Sequence, residues 1–167
     1  MSLALTVPTY RDRFLAAMHD LVGKPVVWSC KGPDAVDCSG SVSVALLAIG
    51  GPDLRFTVNA QGYHDRTRAL APGEAPLPGD LAFFGLTGPH DVEHVAVYSE
   101  EGGVISADGA TSHIDPKVLG FERALALAMA NPANRVRIHN TVNYRSDTKY
   151  RVVHRNLLVD ALDGVTR

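Results

Sequence analysis

The stretch Val42 to Ile49 constrains this chain more than any other, because it is apolar around almost the whole circumference of a helix. Only Ser43 interrupts it, and Gly50-Gly51-Pro52 ends it. A helix without a polar face is buried in the middle of a domain. It is far too short to cross a bilayer. The spacing predicts that this helix begins at Cys38 or Ser39, so a cysteine sits at the start of a central, rigid element.

The other elements arrange themselves around that helix. Tyr10, Phe14, Ala17, Met18, Leu21 and Val22 recur at helical spacing, Thr9 and Asp12 form a capping-box pattern, and Gly23 with Pro25 stops the run. A short helix is expected near Ala60 to Arg68. Strands are expected at Leu81–Phe84, after the turn Pro78-Gly79-Asp80, and at His94–Tyr98 and Val104–Ala107, joined as a hairpin through Gly102-Gly103. A Leu/Ala/Met-rich helix within Pro116–Ala130 is closed by Asn131-Pro132, and two more strands follow at Val136–His139 and Tyr150–His154. Helices first and antiparallel strands after give an α+β fold. The 167 residues fit one domain, 1–167, with no repeat, low-complexity tract or linker.

Charge and cysteine usage exclude several functions. A formal net charge of -2 and the absence of any Lys/Arg run argue against nucleic acid or an anionic membrane as partner. Two cysteines, Cys30 and Cys38, are too few for a disulfide framework. They are also too few for a zinc site, and His90 and His94 precede a strand pattern and need not share a helix face, so no metal and no cofactor is expected. Met1 to Tyr10 lacks a basic segment followed by a long apolar one, so no secretory signal is expected. A substrate outside the cytoplasm would then be reached through phage lysis, a virion or a dedicated secretion machine.

Cys38 lies in Asp37-Cys38-Ser39-Gly40. A thiol at a helix start faces unpaired backbone N–H groups and the positive end of the helix dipole, which favour the thiolate and stabilise an oxyanion. Asp37 and Ser39 are hard to explain by burial and suit contact with polar parts of a substrate. His94 opens a strand, where its imidazole is positioned to take the thiol proton.

Four segments now stand in order: Gly23-Lys24-Pro25-Val26-Val27-Trp28, then Asp37-Cys38-Ser39-Gly40, then Pro78-Gly79-Asp80-Leu81-Ala82-Phe83-Phe84, then His94-Val95-Ala96-Val97-Tyr98. The series resembles the NlpC-type cell-wall cysteine peptidases over about residues 20 to 108. The resemblance implies a papain-like α+β domain, with Cys38 as nucleophile on a central helix and His94 as base on a neighbouring strand. It implies cleavage of peptidoglycan stem peptides between γ-D-glutamate and a diamino acid, without a cofactor. In relatives that cut stems with a free L-Ala amine, the residues matching Asp37 and Ser39 bind that end. Trp28 is expected in the core or on the cleft wall, where it would contact substrate and not take part in catalysis. The family's third polar residue, usually histidine, falls in register on Ser106, with Asp108 two positions on and further from the imidazole.

This chain departs from the pattern in places. The tyrosine ahead of the tryptophan has given way to Val27, and the Gly-Gly after it to Ser29-Cys30. Cys30 is read as a structural substitution. The residues alone leave the amide open: an N-acetylmuramoyl-L-alanine amidase, a transferase using the same acyl-enzyme, or a non-catalytic module of a phage tail or secretion complex are the alternatives to a stem-peptide endopeptidase.

Overall fold

A computed structural model describes residues 7–109 and 114–164. Its centre is an open antiparallel sheet of six strands, β1 (Arg68–Ala69), β2 (Leu81–Gly85), β3 (Val92–Tyr98), β4 (Val104–Asp108), β5 (Arg135–His139) and β6 (Tyr150–Arg155), in the order β1-β6-β2-β3-β4-β5. The helices are α1 (Tyr10–Asp20), α2 (Cys38–Ala48), α3 (Ala60–Asp65), α4 (Pro116–Leu119), α5 (Phe121–Ala130) and α6 (Leu157–Leu162). None of the described helices is long and apolar enough to cross a membrane.

The apolar run after Cys38 does form the central helix. Val42, Ala45 and Leu46 are fully buried and pack with Val95, Val97 and Ile105 on one face of the sheet. Burying a side chain the size of Val or Leu contributes roughly 1.5–3 kcal/mol, so these residues anchor α2, and with it Cys38, against β3. Within α2, Ser43 is satisfied by Ser39 O and by the Tyr63 hydroxyl, at 2.9 and 2.7 Å. The expected capping box at Thr9 and Asp12 closes α1.

Strand β2 is buried along its whole length because it lies between β6 and β3 and is covered on both faces. Leu81 and Phe83 join the core beneath the helices. Ala82 and Phe84 join Ala96 and Val104 on the opposite face, covered by Val142 and Tyr144 from the segment between β5 and β6. That segment delivers Tyr144 to His94.

Asp80 is more than a turn residue. It is wholly buried and accepts from Arg11 and Arg155, both at 2.8 Å, and from the backbone N–H groups of Leu77 and Asn156. One carboxylate thereby ties α1, β6 and the start of α6 to the start of β2.

The expected single helix over Pro116–Ala130 is two, because Gly120 adopts φ 80° and breaks the backbone between α4 and α5. Strand β3 begins at Val92, so His94 is its third residue and not its first. The third helix stops at Asp65, three residues before the expected Arg68, which belongs to β1.

Candidate active site

Cys38 is the first residue of α2 and Asp37 is its N-cap, accepting the Gly40 N–H at 2.6 Å. Gly40 has no room for a side chain: a Cβ there would lie 2.3 Å from the Cys30 carbonyl oxygen and 2.8 Å from Asp37 Oδ1. The motif's glycine thus lets the strand-like residues before the helix pass close over its first turn. The sulfur points toward β3, 4.0 Å from the Glu93 carbonyl oxygen, with the backbone N–H groups of Val95 and Ser39 against it.

Cys38 and His94 line one cleft of about 1080 Å³, together with Val26, Trp28, Phe56 and Arg145. Trp28 is half exposed on its wall, and Phe56, 81% exposed, stands as a second aromatic. Val27 is fully buried in a separate cluster with Ala35, Ala124 and Ala128, so the residue ahead of Trp28 that lines the cleft is Val26. Ser29 carries φ 59°, the left-handed region where a glycine is at ease, which explains why Gly commonly stands there in the resembling motif. Cys30 is half-buried outside the cleft lining, and burial pushes its thiol up.

The imidazole of His94 is held from behind. Its Nε2 lies 2.8 Å from Ser106 Oγ and 2.9 Å from the Tyr144 hydroxyl. Those two hydroxyls lie 2.8 Å from each other, and both reach Asp108 Oδ1, at 2.8 Å from Ser106 and 3.2 Å from Tyr144. A carboxylate only accepts, so the hydroxyl protons point to Asp108 and the oxygen lone pairs face the ring. Nε2 therefore carries the ring proton, and Nδ1 keeps its lone pair. Asp108 also receives the Nε2 of His139, which stacks on Tyr144 at 3.9 Å between ring centres. Strand register alone brings Ser106 to the imidazole and keeps Asp108 at a distance. Asp108 Oδ1 in fact lies only 3.5 Å from Nε2, because the hydroxyl of Ser106 and the carboxylate share the same side of the ring.

No sequence motif points to Tyr144. It lies in a segment without periodicity, and its one signal was an aromatic residue in an otherwise polar connection.

Electrostatics correct one expectation. Burial and the neighbouring Asp37 carboxylate push the Cys38 thiol up to about 11, against the pull of the helix start. Burial, reinforced by Arg145, pushes His94 down to about 4. Both shifts favour a neutral thiol beside a neutral imidazole in the resting pair. Asp37 and Ser39 border the cleft, but neither is free: Lys31 Nζ donates to both Asp37 oxygens, at 2.7 and 2.8 Å, and to Ser39 Oγ at 2.7 Å. Among the described residues no group of three His, Cys, Asp or Glu side chains is placed to hold a metal ion.

The model of the NlpC/P60 family matches residues 23–137, well over half of the chain. The chain belongs to the NlpC/P60 family. Solved members share the fold: NlpC1 from Trichomonas vaginalis superposes with a TM-score of 0.65 at 18% identity, covering 91% of this chain and 46% of its own. This chain thus spans about half the length of that protein. The peptidoglycan hydrolase RipB from Mycobacterium tuberculosis gives 0.56 at 23% identity, with 88% of this chain and 64% of RipB covered. RipD from the same organism, a non-catalytic NlpC/P60 protein adapted to peptidoglycan binding, gives 0.59 at 16% identity, covering 89% of this chain and 98% of its own. No curated protein sequence matches significantly. Family membership by itself therefore spans both hydrolysis and binding.

Proposed function

We propose that this NlpC/P60 chain is a cysteine endopeptidase of bacterial cell wall, cutting stem peptides at the γ-D-glutamyl–diamino acid bond. The observation that carries the reading is one cleft lined by a thiol at a helix start and by an imidazole whose Nε2 is tied down, leaving Nδ1 basic. A peptidoglycan-binding module of the kind described for RipD has no need of that pair.

In this mechanism His94 Nδ1 takes the Cys38 proton as the sulfur attacks the scissile carbonyl, so charge separates only while the new C–S bond forms. The Cys38 and Ser39 N–H groups, at the open first turn of α2, receive the oxyanion; the next two, of Gly40 and Ser41, are occupied by Asp37. Collapse of the intermediate expels the amine, which takes the proton from His94. Water then gives a proton to the same nitrogen, attacks the thioester, and regenerates the thiol. Ser106 and Tyr144 position the ring, and Asp108 behind them stabilises the imidazolium. Arg145 and Lys117 on the cleft wall suit the carboxylates of an anionic stem peptide.

Mass analysis of purified muropeptides after incubation tests the reading. The expected products end in γ-D-glutamate and begin with the diamino acid, and Cys38→Ala removes them with the fold retained. Release of intact stems from the glycan would make the protein an amidase. Unchanged muropeptides would leave a binding module.

A further inference from the structure

The chain around Lys31 folds back onto the nucleophile's helix. Asp37 N–H donates to the Cys30 carbonyl at 2.8 Å, and Lys31 bridges to Val36, so the lysine returns alongside the N-cap carboxylate. Its ammonium has three N–H groups, and three oxygens receive them: Asp37 Oδ1, Asp37 Oδ2 and Ser39 Oγ. Both charged side chains are largely withdrawn from water, at 13% and 14% exposure. Lys31, Asp37 and Ser39 line the cleft beside Cys38.

We infer that Lys31 determines specificity at this niche: its ammonium takes the place of a substrate amine on Asp37 and Ser39, so the cleft accepts stem peptides whose L-Ala nitrogen is acylated, as in wall still attached to glycan, and has no preference for a free amino end. The inference rests on the stem-peptide reading above. A free amine entering here meets a cation already holding the carboxylate, and binding it would break three charge-assisted hydrogen bonds in a partly dry site. An acylated nitrogen carries no charge and demands no such exchange. Asp37 is then a built-in partner of the chain's own lysine. Lys31 touches the groups that would otherwise read the substrate's end, and its Cδ lies 3.0 Å from where a Gly40 Cβ would stand, over the first helical turn.

Binding tests this apart from turnover. The full chain carrying Cys38→Ala is titrated by calorimetry with L-Ala-γ-D-Glu-diaminopimelate and with its N-acetylated form. The expected result is that the acylated peptide binds at least as tightly as the free one. Adding Lys31→Met exposes an unmatched Asp37 carboxylate and should shift the ratio of dissociation constants toward the free amine by about tenfold or more, which corresponds to roughly 1.4 kcal/mol. Adding Asp37→Asn to Lys31→Met should return the ratio to near its starting value. A tenfold preference for the free amine with Lys31 intact overturns the inference, and that measurement stands even if Lys31→Met does not fold. A folded Lys31→Met protein with an unchanged ratio overturns it too, as does failure of the acylated peptide to bind. Absence of cleavage by the protein with Cys38 intact, alongside the expected binding ratios, would instead refute the peptidase reading and leave the niche assignment standing.

Discussion

Replacing Asp108 by asparagine keeps the shape of the relay behind His94 and removes its charge. The carboxylate oxygen lies 3.5 Å from Nε2, and at an effective dielectric of 20 two unit charges at that distance attract by about 5 kcal/mol. That attraction is felt only while His94 is an imidazolium, which in the proposed mechanism is the state between thiol deprotonation and departure of the amine. The same carboxylate is shared with His139 and, at 4.0 Å, with Arg137, so under half of the attraction is available to the ring. About 2 kcal/mol remains, or a roughly thirtyfold loss of kcat with little change in KM. Ser106→Ala removes one neutral hydrogen bond of two to Nε2, worth about 1 kcal/mol or several-fold. The order of effects is therefore Asp108→Asn above Ser106→Ala, the reverse of what strand register alone suggests. Steady-state kinetics on a defined muropeptide, with thermal melts to verify folding, decides it. Asp108→Asn within twofold of the unmodified protein, beside a larger loss in Ser106→Ala, would refute the reasoning.

Alkylation of Cys38 by iodoacetamide in the unliganded protein should be slow at pH 7 and rise only above pH 9, since burial and Asp37 hold the thiol near 11; a rate plateau reached at acidic pH would contradict this. Asp80→Ala leaves Arg155 and Arg11 facing a buried vacancy, and a loss of about 3–5 kcal/mol in denaturant titration is expected. A loss below 1 kcal/mol would demote that carboxylate to a turn residue. His94 is held near 4 in the fold against an ordinary 6.5, so above pH 6.5 it adds nothing to pH dependence, and below that the unfolded chain binds the proton first. Stability should fall by about 3 kcal/mol between pH 6.5 and 4 through this group. His154 is also depressed to about 4 and adds to the fall, so the test is that His94→Gln flattens only part of the slope.

Much of this arrangement was legible because local chemistry and the fold agree. An all-apolar helix after Cys38 had one place to go, and the alternation at Val104 to Asp108 put Ser106 and Asp108 on one face of β4. What escaped was non-local. Tyr144 reaches His94 only because β5 and β6 lie on opposite sides of β2–β4, and no pattern in residues 140–149 records that crossing. Asp80 looked like turn chemistry because its partners, Arg11 and Arg155, are 69 and 75 residues away. The short β1 carries no periodicity to read, whereas α6 did have a signal, an Asn156 cap ahead of Leu157-Leu158-Val159. Lys31 gave no hint of its pairing, since a lysine in a Gly-Pro loop reads as a solvated charge.

The position of β6 between β1 and β2 has a consequence for biosynthesis. A nascent chain that has emerged only as far as β5 exposes the full edge of β2, five residues that are all buried in the finished protein. Such an edge invites pairing with other strands until Tyr150–Arg155 arrives to cover it. Tyr144 is seated by the same event, because the segment carrying it is anchored at its far end by β6. The ribosome thus releases Cys38 and His94 well before the ring is locked, and the proposed thiol–imidazole pair is complete only when β6, the last of the six described strands, has been made.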